Sequence, residues 1–374
     1  MEKHFEYTTL AQRYTARFPL LTYVGTQVNF WVLANLLLAA VLSLHARILG
    51  QALHLPVAGP LGPPLLTAAG FGVVWGVALG LIGYYLDRRI FRKLSLGREI
   101  LAKALGSLAL LALLVGLVQL LLVYSAISPS LVLPGMALNG QSARYLFVLL
   151  LLYYGFMTLV ISFINQINKK YGPGVLLPLL LGKYRDPQEE ERIFLFMDLK
   201  SSTATAEALG HRRYSAFIRD CFADINEVLL PFCAQVYQYV GDEIVVMWPE
   251  SEGVQSHRCL QFYFACRKQF RAREGYYLAN YGRLPQFKAG VHSGAVTAVE
   301  IGEIKKDIAY HGDTLNTAAR IQSVCNHYHV DFLASEYLLG KMPAHPRIQA
   351  EPLGLVQLRG KTEAVGLVSL DWKE

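Results

Sequence analysis

The 374-residue sequence predicts two folds in series: an α-helical transmembrane bundle of four spans, then an α+β domain with a ferredoxin-like βαββαβ order. The first observation is compositional, since 53% of the residues are hydrophobic and only 17% are charged, whereas soluble chains have about 25% charged residues. The second is four apolar stretches long enough to cross a bilayer, near 21–44, 64–86, 104–127 and 144–166. The third is the alternation of strand-type and helix-type apolar spacing after them.

The formal net charge of +7 is confined to one half of the chain. Residues 1–167 hold 11 Lys and Arg against 4 Asp and Glu, whereas residues 168–374 hold 24 of each and are neutral. A nucleic-acid-binding domain would carry its own basic stripe, so the sequence predicts no nucleic-acid partner. The basic residues concentrate in the loop 87–103. By the positive-inside rule, the termini and this loop are expected to face the cytoplasm, with membrane lipid around the spans.

These patterns predict a transmembrane domain over 1–167, a linker or transducer over 168–190 and a cytoplasmic α+β domain over 191–374. Gly172, Pro173 and Gly174 end the fourth span. The following VLLPLLL is too short to cross a membrane. So short a tether could transmit motion from the membrane or simply anchor the domain. All five cysteines lie in the second half without a CxxC pair, which is typical of reduced thiols.

The second half alternates strands and helices. RIFLFMDL predicts a strand ending at Asp198, and LKSSTATAEALG begins a helix with Ser202 or Thr203 as its N-cap. QVYQYV and EIVVMW flank Gly241-Asp242 as a hairpin, and a long helix covers about 254–273. FKAGVHSGAVTAVEI predicts two further strands, and HGDTLNTAARIQSVC predicts a turn leading into a helix. This order favours a sheet with helices on one face.

Two carboxylates stand where this topology can bring them together, one at the end of the first strand (Asp198) and one in the hairpin turn (Asp242). Hard oxygen ligands beside a helix N-terminus suit Mg²⁺ and a triphosphate. Two metal ions could activate an attacking hydroxyl and stabilise a leaving oxygen. Asp is also common in tight turns for structural reasons alone, so both interpretations of Asp242 stay open.

Four motifs in order carry a resemblance: FMDLKSST, QYVGDE, AGVHSG and HGDTLNTAARIQ. Over roughly 190–370 the chain resembles the catalytic domain of class III nucleotidyl (adenylate/guanylate) cyclases. The membrane half is similar in general plan to bacterial membrane-anchored cyclases with four transmembrane helices. The resemblance implies conversion of ATP to 3′,5′-cyclic AMP and pyrophosphate at a homodimer interface, with two Mg²⁺ or Mn²⁺ ions per site.

The resemblance also implies roles for matching residues. Asp198, Leu199 and Asp242 would hold the metals, and the backbone amides of Leu199, Lys200, Ser201, Ser202 and Thr203 would hold the triphosphate. Asn316 would orient the ribose, and Arg320 would stabilise the transferring α-phosphate. Arg359 or Lys361 would bind the β- and γ-phosphates, unless this run is only a solvated strand end. In this family the metal ligands come from one chain, and the residues matching Asn316 and Arg320 come from the other.

The positions that select the base depart from the family pattern. Gln238 stands where a lysine usually selects adenine, and Ala309 replaces its Asp or Thr partner. A glutamine amide can donate or accept a hydrogen bond and so can pair with either purine, whereas Ala309 adds no side-chain polarity. The guanine-selecting glutamate is absent as well, which favours ATP over GTP.

Two alternatives to an adenylate cyclase remain open: the protein could be a guanylate cyclase or a catalytically weak membrane-bound nucleotide sensor. QYVGDE also resembles the turn of diguanylate cyclases, but it has only one of their paired glycines. The short outer loops fit an unidentified membrane or small-ligand regulator, or an anchor that receives no signal.

Overall fold

The computed structural model describes residues 14–15, 17–54, 60–89, 96–124, 140–171, 181–304 and 306–373. Within this chain, one compact unit covers Phe18–Tyr171, here called the helical unit. The described residues from 181 onwards belong to a second compact unit, here called the α+β unit. Several predicted features lie outside the described residues: the basic positions Lys3 and Arg13, residues 90–95 of the basic loop, residues 55–59 of the first outer loop, residues 125–139 at the second and the linker segment 172–180.

The described residues of the helical unit form four long helices: α1 (Pro19–Ala52), α2 (Gly62–Arg89), α3 (Leu96–Tyr124) and α4 (Gly140–Tyr171). Among the described residues, three segments are long and apolar enough to cross a membrane: Pro19–Ala52, Gly62–Leu86 and Arg144–Asn168. The structure thus supports three candidate spans, not the predicted four. The predicted span 104–127 falls on α3, whose side chains from residue 114 onwards lie outside the described set. It stays a prediction for that reason.

Small residues and a few polar contacts hold these helices together. A Cβ added at Gly76 of α2 would lie 2.5 Å from the Val28 Cα of α1, so the two backbones approach as only glycine allows. The Trp31 ring stacks on Tyr154, with 5.5 Å between centroids. The Tyr154 hydroxyl donates to Asn35 Oδ1 at 2.6 Å. Polar groups inside an apolar bundle are thereby paired with each other.

The α+β unit contains eight strands and six α-helices within its described residues. They are β1 (Gln188–Leu199), α5 (Ser202–Leu229), β2 (Gln235–Val240), β3 (Glu243–Pro249), α6 (Glu250–Val254), α7 (Arg258–Ala272), α8 (Glu274–Tyr281), β4 (Phe287–Ile301), β5 (Asp307–His311), α9 (Asp313–Ser323), β6 (Phe332–Ser335), α10 (Glu336–Leu339), β7 (Ile348–Val356) and β8 (Val365–Trp372). The sheet order is β2-β3-β1-β4-β6-β8-β7, with β5 paired to β4. The β4–β6 pair is parallel and the others are antiparallel.

The βαββαβ order follows the sequence prediction through β4, and two details of that prediction were wrong. FKAGVHSGAVTAVEI is one continuous 15-residue strand, not two. Its glycines do not interrupt the strand, because they serve the approach of α9: a Cβ at Gly290 would lie 2.3 Å from the Gln322 nitrogen. Helices also cover both faces of the sheet, since α5 and α7 pack on Leu195 and Trp248, whereas α9 packs on the opposite face.

Candidate active site

The two predicted carboxylates meet at one end of the central strands. Asp198, near the end of β1, lies opposite Glu243 in the β1–β3 ladder, and Asp242 precedes Glu243 in the hairpin turn. Asp198 Oδ2 accepts a hydrogen bond from Gln322 Nε2 at 3.2 Å. The same oxygen lies 3.2 Å from Lys288 Nζ. The strand register therefore brings the Asp198, Asp242 and Glu243 carboxylates to the same end of the sheet. The Gln322 amide and the Lys288 ammonium group contact Asp198 there.

The negative charge of this cluster is only partly compensated. Asp242 Oδ2 is buried and has no hydrogen-bond partner in the described part of the protein. Burial, followed by the charges of Asp198 and Asp242, raises the pKa of Glu243 to about 7, and Lys288 opposes that shift. A buried carboxylate oxygen without a donor fits a cation.

The donor set suits a cation that is shared with a substrate. Within the described residues, no three His, Cys, Asp or Glu side chains converge into a metal site by themselves. Mg²⁺ commonly takes one or two protein carboxylates and completes its shell with phosphate oxygens and water. Asp198 and Asp242 provide that partial set.

The N-terminus of α5 begins three residues after β1 ends. The helix starts at Ser202, and its N-cap is Ser201 in the left-handed region (φ +53°) with no side-chain cap bond. The predicted N-cap at Ser202 or Thr203 was therefore wrong, because the chain turns one residue earlier. Lys200 N–H already donates to the Gln286 carbonyl at 2.8 Å. The first-turn amides, which have no acceptor within the helix, are thus free of a side-chain cap and suited to an anion.

Tyr214 of α5 is a site residue that the sequence reasoning missed, since it was counted only as one of the apolar positions of a helix. It is half-buried. Burial, followed by the charges of Asp242 and Asp198, raises its pKa. The phenol therefore stays protonated and can donate a hydrogen bond near the two aspartates.

Helix α9 presents different residues on its two sides. Gln322 is buried against the sheet and reaches Asp198. Asn316 is exposed, and the half-buried Arg320 donates from Nη1 to the Gly360 carbonyl at 3.4 Å. The structure therefore places Asn316 and Arg320, four residues apart on one side, away from the sheet-facing side that carries Gln322. Within the described residues, neither side chain forms a hydrogen bond or an ion pair with Asp198 or Asp242.

The two candidate phosphate-binding cations differ in their surroundings. Lys361 Nζ lies 2.6 Å from Asp313 Oδ2 and donates to Thr317 Oγ1 at 2.8 Å, so it is fixed along α9. Arg359 is exposed and forms no hydrogen bond or ion pair with the described residues. Since Gly360 contacts Arg320, this loop brings Lys361 to the helix that carries Arg320.

The predicted base-selecting positions flank an aromatic contact between β2 and β5. Gln238 is exposed and follows a register shift in β2, and Ala309 is buried in β5. Next to them, the Tyr310 N–H donates to the Tyr237 hydroxyl at 3.5 Å, with the ring centroids 5.3 Å apart. Gln238 is thus the one of the two that offers a polar side chain.

Known proteins resemble this chain in sequence and fold. Residues 186–368 match the family described as the adenylate and guanylate cyclase catalytic domain. Adenylate cyclase 2 of Rhizobium meliloti (strain 1021) is 31% identical over 327 residues, which cover 82% of this chain and 88% of that protein. Adenylate cyclase 1 of the same organism is 24% identical over 184 residues, which cover 48% of this chain and 27% of that protein.

A solved structure shares the fold of the α+β unit. A bacterial light-regulated adenylyl cyclase aligns with a TM-score of 0.50 and 18% identity, covering 59% of this chain and 65% of that one. The likeness to adenylate cyclase 2 extends well beyond residues 186–368 and covers most of both proteins. The chain therefore belongs to the class III adenylate and guanylate cyclase family, as an enzyme for which adenylate cyclase activity is favoured.

Proposed function

We propose that the protein is a membrane-bound adenylate cyclase that converts ATP to 3′,5′-cyclic AMP and pyrophosphate. The observation that carries this is the buried, unpartnered Oδ2 of Asp242, close to Asp198 and to the uncapped start of α5. Three apolar helices support an anchor in a bacterial inner membrane. The basic loop 87–103 supports a cytoplasmic catalytic domain.

Asp198, the backbone carbonyl of Leu199 and Asp242 would hold two Mg²⁺ or Mn²⁺ ions. When bound, such ions lower the pKa of an attacking hydroxyl and neutralise charge on the leaving phosphates. Gln322 and Lys288 hold Asp198 in place. Asp198, the proposed metal ligand, is thereby held in position before the substrate binds, which reduces reorganisation during the reaction.

The remaining groups bind and orient the nucleotide. The first-turn amides of α5 and the protonated Tyr214 hydroxyl would donate to phosphate oxygens. Arg320 would donate two parallel hydrogen bonds to the α-phosphate, where negative charge develops as the ribose 3′-hydroxyl attacks. Lys361 would contact the terminal phosphates, and Asn316 would hold the ribose.

A homodimer would complete this set of residues. Asn316 and Arg320 lie on the side of α9 that is turned away from the sheet, and Gln322 contacts the chain's own Asp198 from the sheet-facing side. This placement supports sites shared between two chains, each using the aspartates of one copy and the Asn316–Arg320 pair of the other. Gln238 would face the base, with ATP favoured and GTP as the alternative.

Identification of the product tests the activity directly. Purified full-length protein is incubated with Mg²⁺ or Mn²⁺ and with ATP or GTP. The nucleotides are then separated and identified by mass spectrometry. We expect cyclic AMP from ATP. Cyclic GMP alone would assign a guanylate cyclase, and tight nucleotide binding without turnover would assign a sensor. Asp198→Asn should lower product formation by about 10²-fold or more with an unchanged circular dichroism spectrum.

Mixing two inactive variants tests the shared site. Asp198→Asn leaves the α9 residues intact, and Arg320→Ala leaves the aspartates intact. If sites are shared, equal amounts exchanged into mixed dimers should recover about a quarter of the wild-type activity, since half the dimers would carry one intact site of two. Recovery of no activity, after exchange is verified with differently tagged chains, would show that each site lies within one chain.

A further inference from the structure

A cavity of about 100 Å³ lies among helices α1, α2, α3 and α4. By the same measure a single water needs roughly 10–15 Å³, so the space holds several waters or a small molecule. It is bordered by the first turns of α1, the end of α2, the first half of α3 and the end of α4. The cavity is therefore a partly open pocket between the helices, and it shares no residue with the cyclase site.

Three polar side chains line this cavity without a partner. Gln27 and Ser162 are each only 6% exposed, and neither side chain forms a hydrogen bond within the described part of the protein. The same holds for the half-buried Asn165. By contrast Ser107 and Thr158, which also line the cavity, bond to each other at 2.8 Å. The side chains of Gln27, Ser162 and Asn165 are therefore available to hydrogen-bond a molecule in the cavity.

The cavity carries no uncompensated charge. Lys103 lines it, but its ammonium group lies 2.8 Å from Glu99 Oε1 one turn away on α3. The amides of Gln27 and Asn165 and the hydroxyl of Ser162 offer both donors and acceptors. These groups match a neutral hydrogen-bonding head rather than an ion.

The rest of the wall is apolar, with large contributions from Trp31, Leu79, Ile82 and Ile161. We propose that this cavity binds a small neutral amphiphile, a hydrocarbon body with one hydroxyl or carbonyl group, whose head bonds to Gln27 and Ser162. The hydrocarbon body lies against Trp31 and the aliphatic side chains. Pockets of this composition, mostly apolar with a few convergent polar groups, are typical of small-molecule sites.

The site lies at the end of α4 that continues into the linker. Asn165 stands six residues before the last residue of α4, Tyr171. A bound molecule would touch the final turns of the helix through Ser162 and Asn165. The site thus belongs to the membrane anchor, and its existence does not depend on the proposed cyclase activity.

Photolabelling tests the site. Full-length protein in lipid nanodiscs is irradiated with a diazirine-bearing eight-carbon alcohol, and labelled residues are mapped by mass spectrometry. We expect saturable labelling in the segments around Gln27 and Ser162, competed by unlabelled 1-octanol. Octanoate and octylammonium, which have similar length but carry charge, should compete at least about tenfold more weakly because they lose the neutral head.

A filling variant and a matched control separate the cavity from the surrounding lipid. A Cβ at Gly106 meets no atom within 4 Å, so Gly106→Leu places a side chain in the cavity without a backbone clash. Gly70 also has open space around it but does not line the cavity. Gly106→Leu should abolish saturable labelling and Gly70→Leu should leave it unchanged. Gln27→Leu, which removes the amide at similar volume, should weaken it by about tenfold.

Three results would overturn the proposal. The first is the absence of saturable labelling, which would mean that the cavity holds water alone. The second is equal labelling of wild type and Gly106→Leu, which would mean that the probe reports lipid-facing surfaces. The third is competition by octanoate or octylammonium as strong as that by octanol, which would mean that the site takes an ion.

Discussion

The two faces of the central sheet are built differently, although they come from the same strands. Side chains alternate along β1, so Leu195 and Met197 enter the core beneath α5 and α7, whereas Asp198 belongs to the opposite face. The first face is filled with large apolar groups such as Trp248, which is fully buried. The second face carries Gly290 and Gly294 beneath α9.

This difference separates stability from catalysis. The sheet residues of the first face contribute apolar burial and have no part in the proposed chemistry. The glycines of the second face have no side chains, so α9 lies close enough to the sheet for Gln322 to reach Asp198. Substitutions on the first face should therefore change the free energy of unfolding, and substitutions on the second should change the rate.

The largest effect is expected at Gly290. In Gly290→Ala the new Cβ would meet the Gln322 nitrogen at 2.3 Å and the Ala318 carbonyl oxygen at 2.8 Å, so α9 must shift. Overpacking costs about 1–3 kcal/mol, and displacement of aligned groups by an ångström can cost about 10²-fold in rate. Cyclic AMP formation and thermal unfolding measure the two effects. Gly275→Ala, where a Cβ meets nothing within 4 Å, should change neither.

Leu195→Ala probes the first face. Leu195 is fully buried, and truncation of such a side chain costs about 2–5 kcal/mol in the free energy of unfolding. Because Leu195 does not touch the site, the turnover number per folded molecule should stay at the wild-type value below the unfolding transition. A large loss of turnover at full folding would show that the two faces are not independent.

His292, on the second face, gives a pH-dependent test. Burial, followed by the charge of Lys361, lowers its pKa to about 4, and Nδ1 lies 2.7 Å from Ser335 Oγ. In the unfolded chain it titrates near 6.5, so the unfolded state binds the proton first as pH falls. The stabilisation present above pH 6.5 is lost towards pH 4, by about 1–2 kcal/mol after solvent screening.

Thermal unfolding at pH 7.5 and pH 5 measures this loss. His292→Gln removes the titrating group and keeps a polar side chain beside Ser335, so its melting temperature should fall less over the same interval. An identical fall in both proteins would assign the acid sensitivity to other groups.

The smallest effect is expected for Gln322→Leu. The variant keeps the side-chain volume and removes the hydrogen bond to Asp198 Oδ2. Loss of one hydrogen bond to a charged group corresponds to about tenfold in activity. Because Gln322 positions a proposed metal ligand, the metal concentration for half-maximal activity should rise. Gln322→Glu adds a negative charge beside Asp198, so its metal dependence should differ from that of Gln322→Leu. Equal activity in the wild type and both variants would show that Gln322 does not position Asp198.

The sequence predicted the local parts of the molecule well. The hairpin at Gly241-Asp242, the strand that carries Asp198 and the helix that carries Asn316 and Arg320 all form where the patterns placed them. Each depends on the residues next to it: alternating apolar groups, a glycine turn or helical spacing. The four motifs also identified the family correctly.

Features that depend on distant contacts were missed. Gln322 and Asp198 are 124 residues apart in sequence, and no local pattern marks their hydrogen bond. Tyr214 has the spacing of an ordinary core residue, although its hydroxyl belongs to the site. FKAGVHSGAVTAVEI was predicted as two strands and forms one, and the reason for its glycines, the close approach of α9, appears only after the sheet is assembled.

Helix α9 has a consequence for how two copies of this enzyme would respond to nucleotide. In the proposed dimer, Arg320 binds the substrate of one site while Gln322, two residues further along the same helix, orients Asp198 of the other. Any shift of α9 on substrate binding would alter affinity at both sites, and thermodynamic linkage makes that influence reciprocal. Occupancy would then be cooperative, and the rate would depart from a simple hyperbola as the ATP concentration rises.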